Sequence, residues 1–242
     1  MSTPLRLLLT TLCLMAALES AAVERAGDES GVGIIQSGVE VYPASMLLQG
    51  ISSGEARVVI CVDAEGRLTD SLVIGYTDSA FADAAIAALK QWTFEPALVH
   101  GRARAARAEV VLAFKHNGGI TVENIHDENT SKRFIKLLQE QYMFQACQLH
   151  DLDRIPTPLH VVPPALGKVG LSHGAKRTVT VEFYIDQEGR VRVPAIDLSE
   201  ADDQYAAAAV AAVEQWRFEP PLRKGLPVLV LARQDFTFVA KP

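Results

Sequence analysis

Two stretches decide how this chain is read: QWTFEPALVHG at residues 91–101 and QWRFEPPLRKG at residues 215–225. Seven of the eleven positions are identical, and both tryptophans of the protein lie in them. Trp92 and Trp216 stand 124 residues apart, a spacing that indicates a duplicated unit. Ahead of each phrase runs an alanine-rich segment, SAFADAAIAALKQW and ADDQYAAAAVAAVEQW. Phe81, Ala84, Ala85, Ala88 and Trp92 share one helical face, as do Tyr205, Ala208, Ala209, Ala212 and Trp216. Alanine favours the helix and lets it lie close on a sheet. Asp78 or Ser79 is the expected N-cap of the first helix and Ser199 that of the second.

Further back, ARVVICVDAEGRLTDSLVI and RTVTVEFYIDQEGRVRVPAI each read as strand, tight turn, strand. Gly66 and Gly189 supply the positive φ that such turns use. Alternation points Val58, Ile60 and Val62 to one face, and likewise Val179, Val181, Phe183 and Ile185. A third strand follows each phrase, ending near Phe114 and Phe238, both 13 residues beyond their glycines Gly101 and Gly225. YPASMLLQG and VPPALGKVG open the units, with Pro43 and Pro164 suited to the first turn of a short helix. The expectation is an α+β protein of two tandem units, 40–115 and 156–242. Each carries a three-stranded antiparallel sheet with a short and a long helix on one face. Residues 116–155 join them, with a helix over about 131–149 that packs on a sheet.

A composition of 49% apolar and 21% charged residues is that of a globular protein, and a net charge of −6 points away from nucleic acid. Arg102, Arg104 and Arg107 read as solvated charge on a strand edge, or as an anion site. Arg6, the apolar run LLLTTLCLMAAL over 7–18, and small residues Ser20 and Ala22 have the form of a signal peptide cleaved after Ala22. Twelve apolar residues rise only about 18 Å as a helix, short of a bilayer. Residues 23–39 read as a mobile lead-in. Cys61 and Cys147 remain after cleavage. Cys61 faces away from Ile60 and Val62, and the linker helix carrying Cys147 is the expected cover for that face. A contact between the two follows, as a disulfide or as packed thiols.

The phrase itself reads as a structural corner. Its Trp and Phe plug the gap between helix and sheet, Pro96 and Pro220 end the helix, and Gly101 and Gly225 free the backbone for the next strand. As a set, Tyr42-Pro43, Asp63, Gly66, Trp92, Phe94, Pro96, Ala97 and Gly101 resemble the C-terminal domain of TonB. TonB is the bacterial periplasmic protein that couples inner-membrane energy to outer-membrane transporters. Pro164, Gly189, Trp216, Phe218, Pro220 and Gly225 carry the likeness into the second unit, with Pro221 in place of the alanine. The resemblance implies a non-enzymatic, exported periplasmic binding or adaptor protein without cofactor or metal. It also implies that an extended peptide of an envelope partner, such as an outer-membrane transporter, adds as a strand to a sheet edge. The candidate edges are Arg104–Phe114, with Arg104, Arg107, Val110 and Leu112, and Val228–Phe238, with Val230 and Phe236.

Two other readings follow from the same residues. One is a TonB-type energy transducer that keeps its N-terminal anchor, although 23–42 lacks the proline of a TonB spacer. The other is a structural envelope protein that forms a homodimer through edge strands. The six histidines show no metal-binding spacing, and Cys147 with His150 is the one nucleophile–base pair worth placing.

Overall fold

The computed structural model describes residues 29–38, 41–116, 121–124, 142–166, 176–200 and 204–239. The leader at 1–22 and the linker residues 125–141 lie outside them.

The first unit opens with β1 (Gly33–Gln36) and α1 (Ala44–Leu48). It continues with β2 (Ser53–Val62), β3 (Leu68–Tyr76) and α2 (Ser79–Leu89). β4 (Thr93–Glu95), β5 (Ala97–Val99), β6 (Arg102–Arg104) and β7 (Ala106–Lys115) complete it. Between the units run β8 (Thr121–Asn124), β9 (Phe144–Gln145) and β10 (Cys147–Gln148). The second unit comprises β11 (Pro158–His160), β12 (Lys176–Ile185), β13 (Val191–Ala195) and α3 (Gln204–Val213). It ends in β14 (Arg217–Phe218), β15 (Leu222–Arg223), β16 (Leu226–Pro227) and β17 (Val230–Val239).

The long helices lie where the alanine pattern puts them. Asp78 caps α2 by accepting from the Ala80 N–H at 2.9 Å. Phe81, Ala85, Ala88 and Leu89 are buried on one side, against Ala56, Val58, Ile60 and Val62 of β2. Tyr205, Ala206, Ala209 and Val213 do the same against Val179, Val181, Phe183 and Ile185. Each buried Val, Leu, Ile or Phe side chain among these contributes about 1.5–3 kcal/mol. Ser199 is not the cap of α3: it sits in a 3-10 turn, Leu198–Glu200, where Asp197 accepts from its N–H at 3.0 Å.

The duplicated phrase locks onto the duplicated hairpin. Asp63 accepts from the Glu65 and Arg67 N–H groups, and Asp186 from those of Glu188 and Arg190. Gly66 and Gly189 turn at φ 79° and 77°. A Cβ on Gly66 would fall 2.3 Å from the Phe94 carbonyl oxygen, and one on Gly189 1.9 Å from that of Phe218. Phe218 N–H also donates to the Gly189 carbonyl at 2.8 Å. So the rings of Trp92, Phe94 and Trp216 fill the cores while the backbone of the phrase closes against the hairpin tip. Proline and glycine then lead into short hairpins, β5–β6 and β15–β16. Their turns place His100 and Gly101, then Lys224 and Gly225, at positive φ.

Several expectations are corrected. The first sheet has five strands, in the order β8-β7-β2-β3-β9, and the second has four, β10-β17-β12-β13. Residues 33–36 are no mobile lead-in: they form β1, paired with β4, and Val32 is buried. β11 pairs with β14 in the same way, because the phrase offers an unpaired backbone edge that each unit fills with its own upstream residues. Pro43 caps α1 from outside the helix, and Pro164 lies in a stretch, 161–166, without helix. Residues 142–148 are not helical. They run as β9 and β10 into a 3-10 turn, since the edges of β3 and β17 offer them hydrogen bonds.

Among the described residues no helix covers the outer face of the first sheet. The second sheet covers it. Val59, Leu72 and Ile74 pack with Tyr184, Val193 and Leu229, and Cys61, Phe144 and Leu231 flank them. The layers therefore run helix, sheet, sheet, helix. Burial pushes the Tyr184 hydroxyl up to about 12 and the Cys61 thiol up to about 11. Arg107 reaches across this seam. Its guanidinium pairs with the Glu182 carboxylate and donates to the Glu182 and Val193 carbonyls at 3.3 and 3.2 Å. Arg192 bonds Asp70 at 2.9 Å beside it. The bulge of β13, with Val193 at φ 42°, presents that carbonyl to Arg107.

Candidate protein-docking edge

A sheet edge can bind a partner strand only where its N–H and C=O groups are not already taken. In the first sheet the joining segment takes some of them, at Val110–Ala113 of β7 and at the end of β3. β8 lies antiparallel on β7, with Val110 opposite Asn124, Leu112 opposite Val122 and Ala113 opposite Thr121. At the other edge, β9 pairs Gln145 with Gly75 and Phe144 with Tyr76, and the Ala146 N–H donates to the Ile74 carbonyl at 2.8 Å. Phe144 stacks on Tyr76 at 5.1 Å. Gly75 leaves room for Tyr142, whose ring carbon would stand 2.9 Å from a Cβ there.

The same segment then crosses to the second sheet. The Cys147 N–H donates to the Leu229 carbonyl at 2.8 Å, and β10 runs parallel to β17 at Val230 and Leu231. There the pairing stops. From Ala232 to Val239, β17 is bonded to β12 on one side. On its other side it has no strand among the described residues. Arg233, Gln234, Asp235, Thr237 and Val239 are exposed along this run. Gln234 turns its side-chain amide onto the Asp235 carbonyl at 2.9 Å. The opposite border of the sheet, β13, carries Pro194 and the Val193 bulge, both obstacles to strand addition.

The two faces of the open run differ. Toward the helix, Phe236 lies 5.6 Å from Trp216, and Phe238 lies 5.0 Å from Tyr205. Both phenylalanines are half-buried. On the outer face, Arg233 bonds Glu182 at 2.7 Å and Asp235 accepts from the Thr180 hydroxyl at 2.7 Å.

A profile of the family described as Gram-negative bacterial TonB protein C-terminal matches residues 39–116 and again 172–240. The chain belongs to this TonB C-terminal family. It carries the domain twice, as the duplicated phrase indicates. A solved relative, the Pseudomonas aeruginosa TonB CTD in solution, is 26% identical over 36% of this chain and 87% of its own, with a TM-score of 0.31. No curated protein matches.

Within this TonB pair, the candidate edge residues separate. Arg104 belongs to the β5–β6 hairpin and Arg107 to the seam between the units. Val110 and Leu112 are buried and pair with β8, so Val110–Ala113 within Arg104–Phe114 is not an open edge. Val228 precedes β17 and donates to the Pro221 carbonyl at 2.9 Å. Val230 is buried under β10, and of the residues singled out Phe236 alone borders the open run. Tyr42 packs edge-on against Phe81 at 5.6 Å and donates to the Ile51 carbonyl at 2.9 Å. Trp216 Nε1 donates to the Val162 carbonyl at 2.8 Å, whereas buried Trp92 Nε1 has no acceptor among the described residues. Cys61 and Cys147 are free thiols. Cys147 faces the second core, and the His150 side chain is 81% exposed beside Asp151, so they form no nucleophile–base pair. What sequence reasoning missed is the asymmetry of the edges. A signal was present: Asn117-Gly118-Gly119, a hairpin-turn sequence, stands between Phe114 and TVEN at 121–124.

Proposed function

We propose that this chain is an exported envelope adaptor that docks one extended segment of a partner protein along the outer edge of β17. The observation that carries the reading is the contrast between equivalent edges. The first unit's terminal strand holds a four-residue antiparallel strand, β8, while the matching run of β17 is exposed and unpaired among the described residues. The first unit thus serves as a brace, packed sheet to sheet against the second. The segment that joins the two pairs with Val110–Ala113 of β7 and with the end of β3. The partners are periplasm-facing segments of envelope proteins, outer-membrane transporters foremost, as the TonB likeness suggests. Backbone hydrogen bonds provide the affinity and alternate side chains the selectivity.

The test is amide hydrogen exchange on the purified protein with synthetic periplasm-facing transporter peptides. Slowed exchange over 232–239, with 110–113 unchanged, is the expected result. If no peptide of this class slows exchange along β17, the reading is wrong.

A further inference from the structure

The seam between the units does not close along its whole length. Beside Arg107 and Val193 it opens into a cleft of about 800 Å³. We propose that this cleft binds one aliphatic chain with an anionic head, a ligand of the fatty-acid class. The site is separate from the β17 edge and does not depend on docking there.

Size and place fit a small ligand, since such pockets span about 300–1,000 Å³ and often lie between domains. Both units supply the walls. Val62 of β2 and Ala106 and Ala108 of β7 come from the first, Ile196 and Leu198 from the second. Leu198 also packs on the first unit's core. Ala207, Val210 and Ala211 of α3 complete the lining. They recur at helical spacing, so one stripe of α3 faces the cleft while Ala206, Ala209 and Val213 face the core.

The sister helix shows that the fold does not require this second stripe. The 124-residue offset of the tryptophans matches Ala207 to Asp83, an exposed charge on α2. Without that charge, α3 is apolar from 207 to 211 on the side of the cleft. The lining holds no aromatic ring among the described residues. Small aliphatic walls suit a flexible alkyl chain better than a flat ring, which gains from stacking on another ring.

Charge is unevenly placed around the cleft. Asp70 and Glu214 act on the half-buried Cys61 thiol, as do Arg107 and Arg192. Asp70 is paired with Arg192, and Arg107 with Glu182. Arg104 also lines the cleft but is not among the groups that act most on Cys61. Its Nη1 donates to the Ala103 carbonyl at 3.1 Å. A guanidinium has five N–H donors in a fork that matches a carboxylate, so it can hold one beside the contacts it already makes. A head group at Arg104 stays clear of Asp70 and Glu214, and the chain then runs along the alanine walls toward Cys61. The arginine cluster of the sequence thus divides: Arg107 pins the seam and Arg104 serves the cleft.

The experiment adds cis-parinarate, a fatty acid that fluoresces when its chain leaves water, to the full chain. Saturable fluorescence with one equivalent bound is expected. Octanoate and decanoate should displace it, with a gain of about two- to fourfold per added methylene. Decanoate should displace it about tenfold better than decanol, and Arg104→Gln should erase that difference. Bound decanoate should also slow alkylation of Cys61 severalfold, with buried Cys147 as the internal reference. Ala211→Trp, at an exposed helix position and checked for native circular dichroism, should abolish binding by filling the cleft. Absence of a saturable signal overturns the site. So does a signal that survives Ala211→Trp and leaves Cys61 unprotected. Equal displacement by decanoate and decanol overturns the anionic head.

Discussion

At the scale of single residues, the strongest constraint is the contact between hairpin glycine and motif phenylalanine. Gly189 needs a positive φ and has the Phe218 carbonyl oxygen 1.9 Å from where a Cβ would stand. Gly225 has the same backbone hand, φ 76°, but nothing within 4 Å. The two glycines therefore separate conformational strain from steric exclusion. Gly225→Ala should cost about 1 kcal/mol, the left-handed penalty alone. Gly189→Ala should cost about 2–4 kcal/mol, because a backbone carbonyl must also shift. Urea unfolding of the two variants measures the difference, and equal losses would mean that the clash relaxes freely. Only three residues after Gly189, Arg192 bonds Asp70 of the first unit, so the hairpin also helps to hold the two units together.

At the scale of elements, the joining segment behaves as a chain of short strands laid on borders. β8 covers β7, β9 covers the end of β3 and β10 covers the start of β17. Each bond pattern is local and short, so each is separable. Val122→Pro removes a backbone donor in the middle of β8. It is expected to raise amide exchange at Val110–Ala113 and to leave β17 unchanged. If exchange there does not rise, β8 does not protect that edge in solution. The opened β7 edge should then take a second strand peptide, raising the stoichiometry from one to two. The spacing of Phe144 and Cys147 fits a helical stripe as well as it fits a strand. Periodicity cannot separate these readings over so few apolar positions.

At the scale of the whole molecule, the two units share one buried seam. The seam buries Val59, Leu72, Ile74, Tyr184, Val193 and Leu229, and Arg107 ties it by three contacts to the second unit. Amide exchange of β2, in the first unit, and of β12, in the second, should report the same urea midpoint, since neither sheet keeps its outer face covered alone. Arg107→Ala leaves Glu182 half-buried without its cross-seam cation. It should cost about 1–3 kcal/mol and pull the two midpoints apart. Coincident midpoints in that variant would show that apolar packing alone couples the units.

The sequence by itself determined the duplication, the alternation of β2 and β12, the alanine faces of α2 and α3, the hairpin glycines and the membership of the TonB C-terminal family. These follow from contacts close in sequence or from periodicities of 2.0 and 3.6, which side-chain chemistry displays along the chain. Tertiary structure decided what covers Cys61, where residues 142–148 lie and which border stays open. It turned Arg107 from an expected surface charge into the pin of a seam. Backbone pairing leaves almost no mark on side-chain identity, so residues that satisfy a distant strand's N–H and C=O groups look like any polar linker. An open border is defined by what does not pair with it, and that is settled only when every strand has found its place.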